Sequence, residues 1–226
     1  MHAAVTGSFF IAATVTAIIG LYLYDPILNS PDYLLLGAAH SSQIISGAML
    51  ELVLACTATG TGIMLYPYLC RYNERLGLAY VCFRLFEVIF ILIGIVSVLA
   101  LLTLSHTYTS AAGSADTDAY AVCGKVLQSI HDCTFILGPN FMLGINTFIY
   151  CYVFYRSGLI PKALAVCGLI AAASIFTAAL LELFGVILQL SVWGIVLALP
   201  IFFFEMILAV WLIVKGFNLN IQGADA

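Results

Sequence analysis

At 226 residues, with 64% hydrophobic and 8% charged side chains, the chain lacks the roughly 25% of charged residues with which a soluble domain faces water. Its length suits one integral membrane domain, residues 1–226, and leaves no room for a separate soluble module. The net charge of -4 carries no nucleic-acid signal, because several of the acids fall inside apolar runs rather than on a charged face.

Taken in chain order, no Lys or Arg precedes the first apolar run and no small-residue cleavage site follows it. Residues 8–24 are therefore expected to be a retained span and not a cleaved signal peptide. Further runs long enough to cross about 30 Å of hydrocarbon cover residues 41–70, 76–104, 120–155, 163–188 and 191–214. They are long and continuous, unlike the short alternating segments of a β-barrel. The expected fold is all-α, a polytopic bundle of six transmembrane helices. Residues 105–119, small and polar, read as a flexible external loop.

The basic residues Arg71, Arg75, Arg156, Lys162 and Lys215 follow the even-numbered spans, while Asp25, Asp32, Asp116 and Asp118 lie at the opposite ends. With Lys125 the single base near those opposite ends, the positive-inside rule predicts cytoplasmic N- and C-termini. Tyr22, Tyr24, Tyr33 and Trp193 are expected to form an aromatic belt on one side, with Tyr66, Tyr68, Tyr72, Tyr152, Tyr155 and Trp211 on the other. The seven cysteines form no C-x-x-C pair and read as small hydrophobic residues.

The informative residues are the polar ones at membrane depth, which persist only when paired, hydrated or useful. In span two, Gly47, Glu51, Ala55, Ala58 and Gly62 share a face, so a neighbouring helix can approach beside the acid. In span three, Arg84 and Glu87 stand three residues apart, a spacing for an intrahelical ion pair, with Gly94 and Ser97 continuing that side. Such a pair is by itself weak evidence of function. Span four places Gln128, His131, Asp132 and Asn146 roughly on one face, with Gly138, Pro139 and Asn140 between them. Pro139 predicts a kink, and Pro200 repeats the device one turn before Glu205. Glu182 lies near the end of span five and is expected to reach the interface.

Five acids, Glu51, Glu87, Asp132, Glu182 and Glu205, thus face one arginine and one histidine, and cannot all be ionised unless water or a cation compensates. The candidate binding residues are Glu51, Arg84, Glu87, His131, Asp132, Asn140 and Glu205; no catalytic residue can be assigned. H-E-x-x-H, paired Glu-x-x-His and G-x-S-x-G motifs are absent, and His2, His40 and His106 fall near the surface. No metal and no cofactor are expected.

The segments L-Y-P-Y-L-C-R, F-R-L-F-E, I-H-D, L-G-P, Y-R-S-G-L-I-P-K and P-I-F-F-F-E-M-I-L-A-V-W-L-I-V-K-G-F together resemble a bacterial family of short multi-pass membrane proteins, domain-of-unknown-function family 4386. The resemblance implies a polytopic membrane protein and carries no activity and no functional residue with it. Three readings follow from the residues. One is a proton-linked small-solute permease. Another is an intramembrane enzyme using carboxyl acid/base chemistry on a lipid or isoprenoid. The third is an accessory or assembly subunit whose polar residues only lock helices together. Expected partners are the lipid bilayer and a small polar or lipophilic ligand within the bundle.

Overall fold

The computed structural model describes residues 2–111 and 117–218, which are all-helical. Six helices are long and apolar enough to cross a membrane, as the uninterrupted apolar runs require once every backbone donor and acceptor must be satisfied within its own segment. They are α1 (His2–Leu23), α4 (Ser41–Tyr72), α5 (Glu74–Ser110), the composite α6 (Thr117–Phe135) and α7 (Leu143–Ser157), α8 (Lys162–Leu183) and α9 (Val192–Val214). Two short helices, α2 (Asp25–Leu28) and α3 (Tyr33–Ala39), lie between α1 and α4.

The spanning helices form a ring in chain order. Each packs against the next, and α9 closes the ring on α1. The α4–α5 turn is a single residue, Asn73, whose side chain accepts from Leu76 N–H (3.1 Å) and caps α5. Gly158 ends α7 with φ +68°, a left-handed conformation suited to glycine, and turns the chain into α8. One end of the ring carries Arg71, Arg75, Arg156, Lys162 and Lys215 and is called the basic end below. There Ala3 lies beside Gly216, and Asn218 N–H donates to Leu159 O (2.9 Å), so the described parts of both chain ends meet.

At the basic end the ring is filled by Phe10, Leu65, Leu69, Tyr80, Tyr150, Phe154, Leu208 and Leu212. Toward the opposite end, α2 and α3 fold over the bundle. Tyr33 hydroxyl donates to Ala121 O (2.9 Å), Gln128 amide donates to Ile27 O (2.9 Å), and Ser105 hydroxyl donates to Leu34 O.

Several expectations change. Helix α5 continues through Ser110 and α6 begins at Thr117, so much of the loop read at 105–119 is helix; residues 112–116 lie outside the described residues. Helix α8 ends at Leu183, and the five residues assigned beyond it leave the helix in a turn and bends, with Gly185 at φ +68°. Pro139 produces a π-helical segment, Ile136–Met142, that joins α6 to α7. Widening the turn accommodates the missing amide and the ring without ending the helix. Of the predicted belt, Tyr22 and Trp193 are exposed, whereas Tyr24 and Tyr33 are buried and hydrogen-bonded inside the bundle.

Candidate functional site

Depth follows from helix rise. Arg84 is nine residues from Arg75, and Glu205 ten from Lys215, which puts both about 15 Å from the basic end at about 1.5 Å per residue, half-way through the bilayer core. Glu51 and Glu182 are each twenty residues from Arg71 and Lys162, about 30 Å along, at the far edge of that core.

Between these levels the ring encloses a cavity of about 250 Å³. Glu51, Arg84, Glu87, His131, Asn140 and Glu205, six of the seven candidate residues, line it. Apolar wall is supplied by Phe90, Phe135, Phe202, Ile175 and Ile201, and by Ala17, Ile18 and Leu21 of α1. On the basic side the packed aromatic and aliphatic core closes it. Ile18 is exposed as well as lining, so the rim of the cavity reaches the bundle surface along α1.

Arg84 sits at the floor, only 4% exposed. Its Nε donates to Ala58 O and Thr61 Oγ1, both at 3.1 Å, and its Nη1 donates to Glu87 Oε2 at 2.8 Å. Glu87 accepts a second bond at the same oxygen from Asn146 Nδ2. Gly62 faces the arginine, where a Cβ would stand in ordinary van der Waals contact, 3.5 Å from Arg84 Cγ. Arg84 Nη2 bonds to nothing among the described residues, so part of the guanidinium is available to the cavity that it lines.

Glu205, across from this pair on α9, accepts one long bond from Thr14 Oγ1 (3.4 Å) and has no salt-bridge partner among the described residues. Higher in the cavity, Glu51 accepts from the Tyr24 hydroxyl (3.2 Å), and Tyr24 stands edge-on to the His131 ring with centroids 6.0 Å apart. His131 is 5% exposed, and its Nδ1 has no hydrogen-bond partner among the described residues. The small-residue face of α4 serves this arrangement: Gly20 of α1 packs on Glu51, and Gly47 on the Tyr24 ring.

Two readings of the sequence need correction. Asp132 does not join the cavity; its side chain is 65% exposed, and its carboxylate stays 3.6 Å from His131 Nδ1, too far for a hydrogen bond. Consecutive residues on a helix diverge by about 100°, so with His131 inward Asp132 must turn out. Glu182 does not reach out to the interface: it is buried and accepts from Asn140 Nδ2 at 2.7 Å. The π-helical turn frees Asn140 to present its amide to α8.

Sequence reasoning passed over Thr14, Tyr24 and Thr61, whose hydroxyls bond to the charged residues, and also Tyr80 and Tyr150, whose hydroxyls are buried without partners among the described residues. Helical spacing holds a signal for the last two. Tyr80, Arg84 and Glu87 follow at i, i+4 and i+7, and Asn146 and Tyr150 at i and i+4.

Among the described residues no group of three or more His, Cys, Asp or Glu side chains is arranged to hold a metal ion. Chemically, the cavity can hold a proton or a cation on Glu205, and it offers guanidinium donors beside that carboxylate. No curated protein and no solved structure matches the chain. A family model described as domain of unknown function (DUF4386) matches residues 5–216, and the chain, a multi-pass transmembrane helix bundle, belongs to that family.

Proposed function

We propose that the protein is a proton-linked permease for a small solute, with Glu205 as the group that exchanges a proton as solute enters or leaves. One observation carries this reading: a carboxylate half-way through the bundle, at the floor of a cavity, with no salt-bridge partner among the described residues. A helix-locking role for these acids would be served by closed pairs, such as Glu182 with Asn140. Glu205 and the free edge of Arg84 instead face open volume.

The basic loops favour a cytoplasmic location for both termini, and with them a cavity that addresses the exterior half of the membrane. Solute would reach the cavity from that side and be stopped by the core of Phe10, Tyr150, Phe154 and Leu208. Alternating access then requires the basic half of the ring to part once Glu205 is neutralised by its ligand.

The test is proton flux in liposomes carrying the purified protein and an internal pH dye. Across a panel of small amines, amino acids and inorganic cations, at least one is expected to drive proton movement against the dye-reported gradient, and Glu205→Gln is expected to abolish it. A panel that leaves proton movement at the level of empty liposomes, or a Glu205→Gln protein that retains full flux, overturns the reading.

A further inference from the structure

The cavity also indicates what kind of solute it takes. Its charged groups do not balance: Glu87 is matched by Arg84, Glu51 has a tyrosine hydroxyl and stands near His131, and Glu205 is left over. A carboxylate held away from water is stabilised by a proton or by a positive group that can approach it closely. The site is also more than a cluster of acids, because Arg84 and His131, each more than nine-tenths buried, line the cavity, and neither Arg84 Nη2 nor His131 Nδ1 has a hydrogen-bond partner among the described residues.

Volume and wall chemistry narrow the class. A cavity of about 150 Å³ suffices for benzene, so about 250 Å³ accommodates one ring or a short branched chain with a few further atoms. The wall above Glu205 is apolar and aromatic, with Phe90, Phe135 and Phe202. Aromatic faces attract a cation as well as the apolar body that carries it. An inorganic cation would gain little from such a wall and would find too few oxygen ligands. An anion would meet three carboxylates for one arginine.

We infer that the ligand is a small lipophilic amine in its protonated form, its ammonium group on Glu205 and its apolar part against the three phenylalanines. This inference rests on the permease reading for its consequence, exchange of one ammonium ion for one proton at the same carboxylate, but binding itself does not require transport. The exchange balances, since the proton leaves Glu205 as the ammonium ion takes its place and the cavity charge is unchanged.

The experiment uses the full chain in detergent micelles, with 2-phenylethylamine as probe and 2-phenylethanol and 3-phenylpropionate as its neutral and anionic counterparts. Calorimetric titration in weakly buffered solution, with a pH-indicator dye, reads affinity and proton release together. The amine is expected to bind at least tenfold more tightly than either counterpart, with release of up to one proton. Glu205→Gln is expected to reduce its affinity at least tenfold, and Phe202→Ala by a smaller factor. Circular dichroism and elution volume establish that each variant is folded, and Thr14→Val, which exchanges only the hydroxyl beside Glu205 for a methyl group, gives a milder second probe expected to shift affinity in the same direction. Equal binding of the three probes, preference for the neutral or anionic one, or undiminished amine binding by Glu205→Gln overturns the inference. Amine binding with proton release but no flux in liposomes would sustain this inference and sink the permease reading. Proton-coupled flux of another solute with no amine binding would do the reverse.

Discussion

Arg84 cannot lose its charge, so the stability of the bundle depends on which carboxylates remain near it. Glu87 holds it at 2.8 Å, and Glu205 lines the same cavity without a cation of its own. Glu87→Gln keeps the shape and exchanges a charge-assisted bond for a neutral one, a loss of about 1–2 kcal/mol if Glu205 supplies the counter-charge. Glu205→Gln removes only a long bond from Thr14 (3.4 Å) and is expected to cost less than about 1 kcal/mol. The double substitution leaves a guanidinium at mid-membrane with no carboxylate on the cavity floor, a situation that costs about 3–5 kcal/mol in buried pairs. The two singles should therefore fall short of the double, by about 2 kcal/mol at the middle of these ranges. Reversible unfolding in mixed micelles, followed by far-ultraviolet circular dichroism for all four proteins, measures the cycle. If the losses add to within about 0.5 kcal/mol, Glu205 does not take over as the counter-charge of Arg84 when Glu87 is neutralised, and the predicted coupling is refuted.

Three further outcomes are expected. A Cβ on Gly168 would clash with Cys151 Sγ and the Phe204 ring, so Gly168→Ala should destabilise the bundle by about 1–3 kcal/mol through overpacking. Gly62→Ala, whose nearest contact is 3.5 Å, should be close to neutral in the same micellar unfolding assay; equal effects would refute the packing argument. Cys123 is exposed and 33 residues from Arg156, about 50 Å along the helix and beyond the bilayer core. In sealed right-side-out vesicles a membrane-impermeant maleimide should label a variant retaining only Cys123, and should label Lys162→Cys in the cysteine-free background only after permeabilisation. The opposite pattern would invert the proposed orientation. Trp193 is 68% exposed among Phe184, Leu188 and Val192, and in a Trp211→Phe protein its fluorescence should be quenched by lipids brominated near the headgroup; quenching by aqueous acrylamide instead would place this segment in water.

The six spans were legible because their signal is local: a long apolar run at membrane depth has no alternative to a helix. The inward face of α4 was legible for the same reason, since Gly47, Glu51, Ala55, Ala58 and Gly62 repeat at helical spacing and all are buried. Partners across the bundle were not. Glu182 was misread because depth alone cannot reveal that a helix from the middle of the chain presents Asn140 to it. Asp132 failed through phase, one position from an inward histidine. Pro139 announced a disturbance but not its form, and the π-helical turn shifts the register of every residue beyond it. Tyr24 looked like a boundary aromatic, yet the fold of α2 and α3 over the bundle encloses it and hands its hydroxyl to Glu51.

The placement of the Arg84–Glu87 pair within a single helix bears on how the protein is made. Residue 205 follows residue 87 by 118 positions, roughly 6–24 s of synthesis at about 5–20 residues per second. During that interval α5 enters the bilayer before α9 has left the ribosome. A pair three residues apart travels together and shields its charge from lipid during insertion. An arginine dependent on Glu205 would have waited in the membrane for the last helix, which is also the one that closes the ring on α1. The cavity thus comes into being only as α9 arrives, and its cation is already provided for when it does.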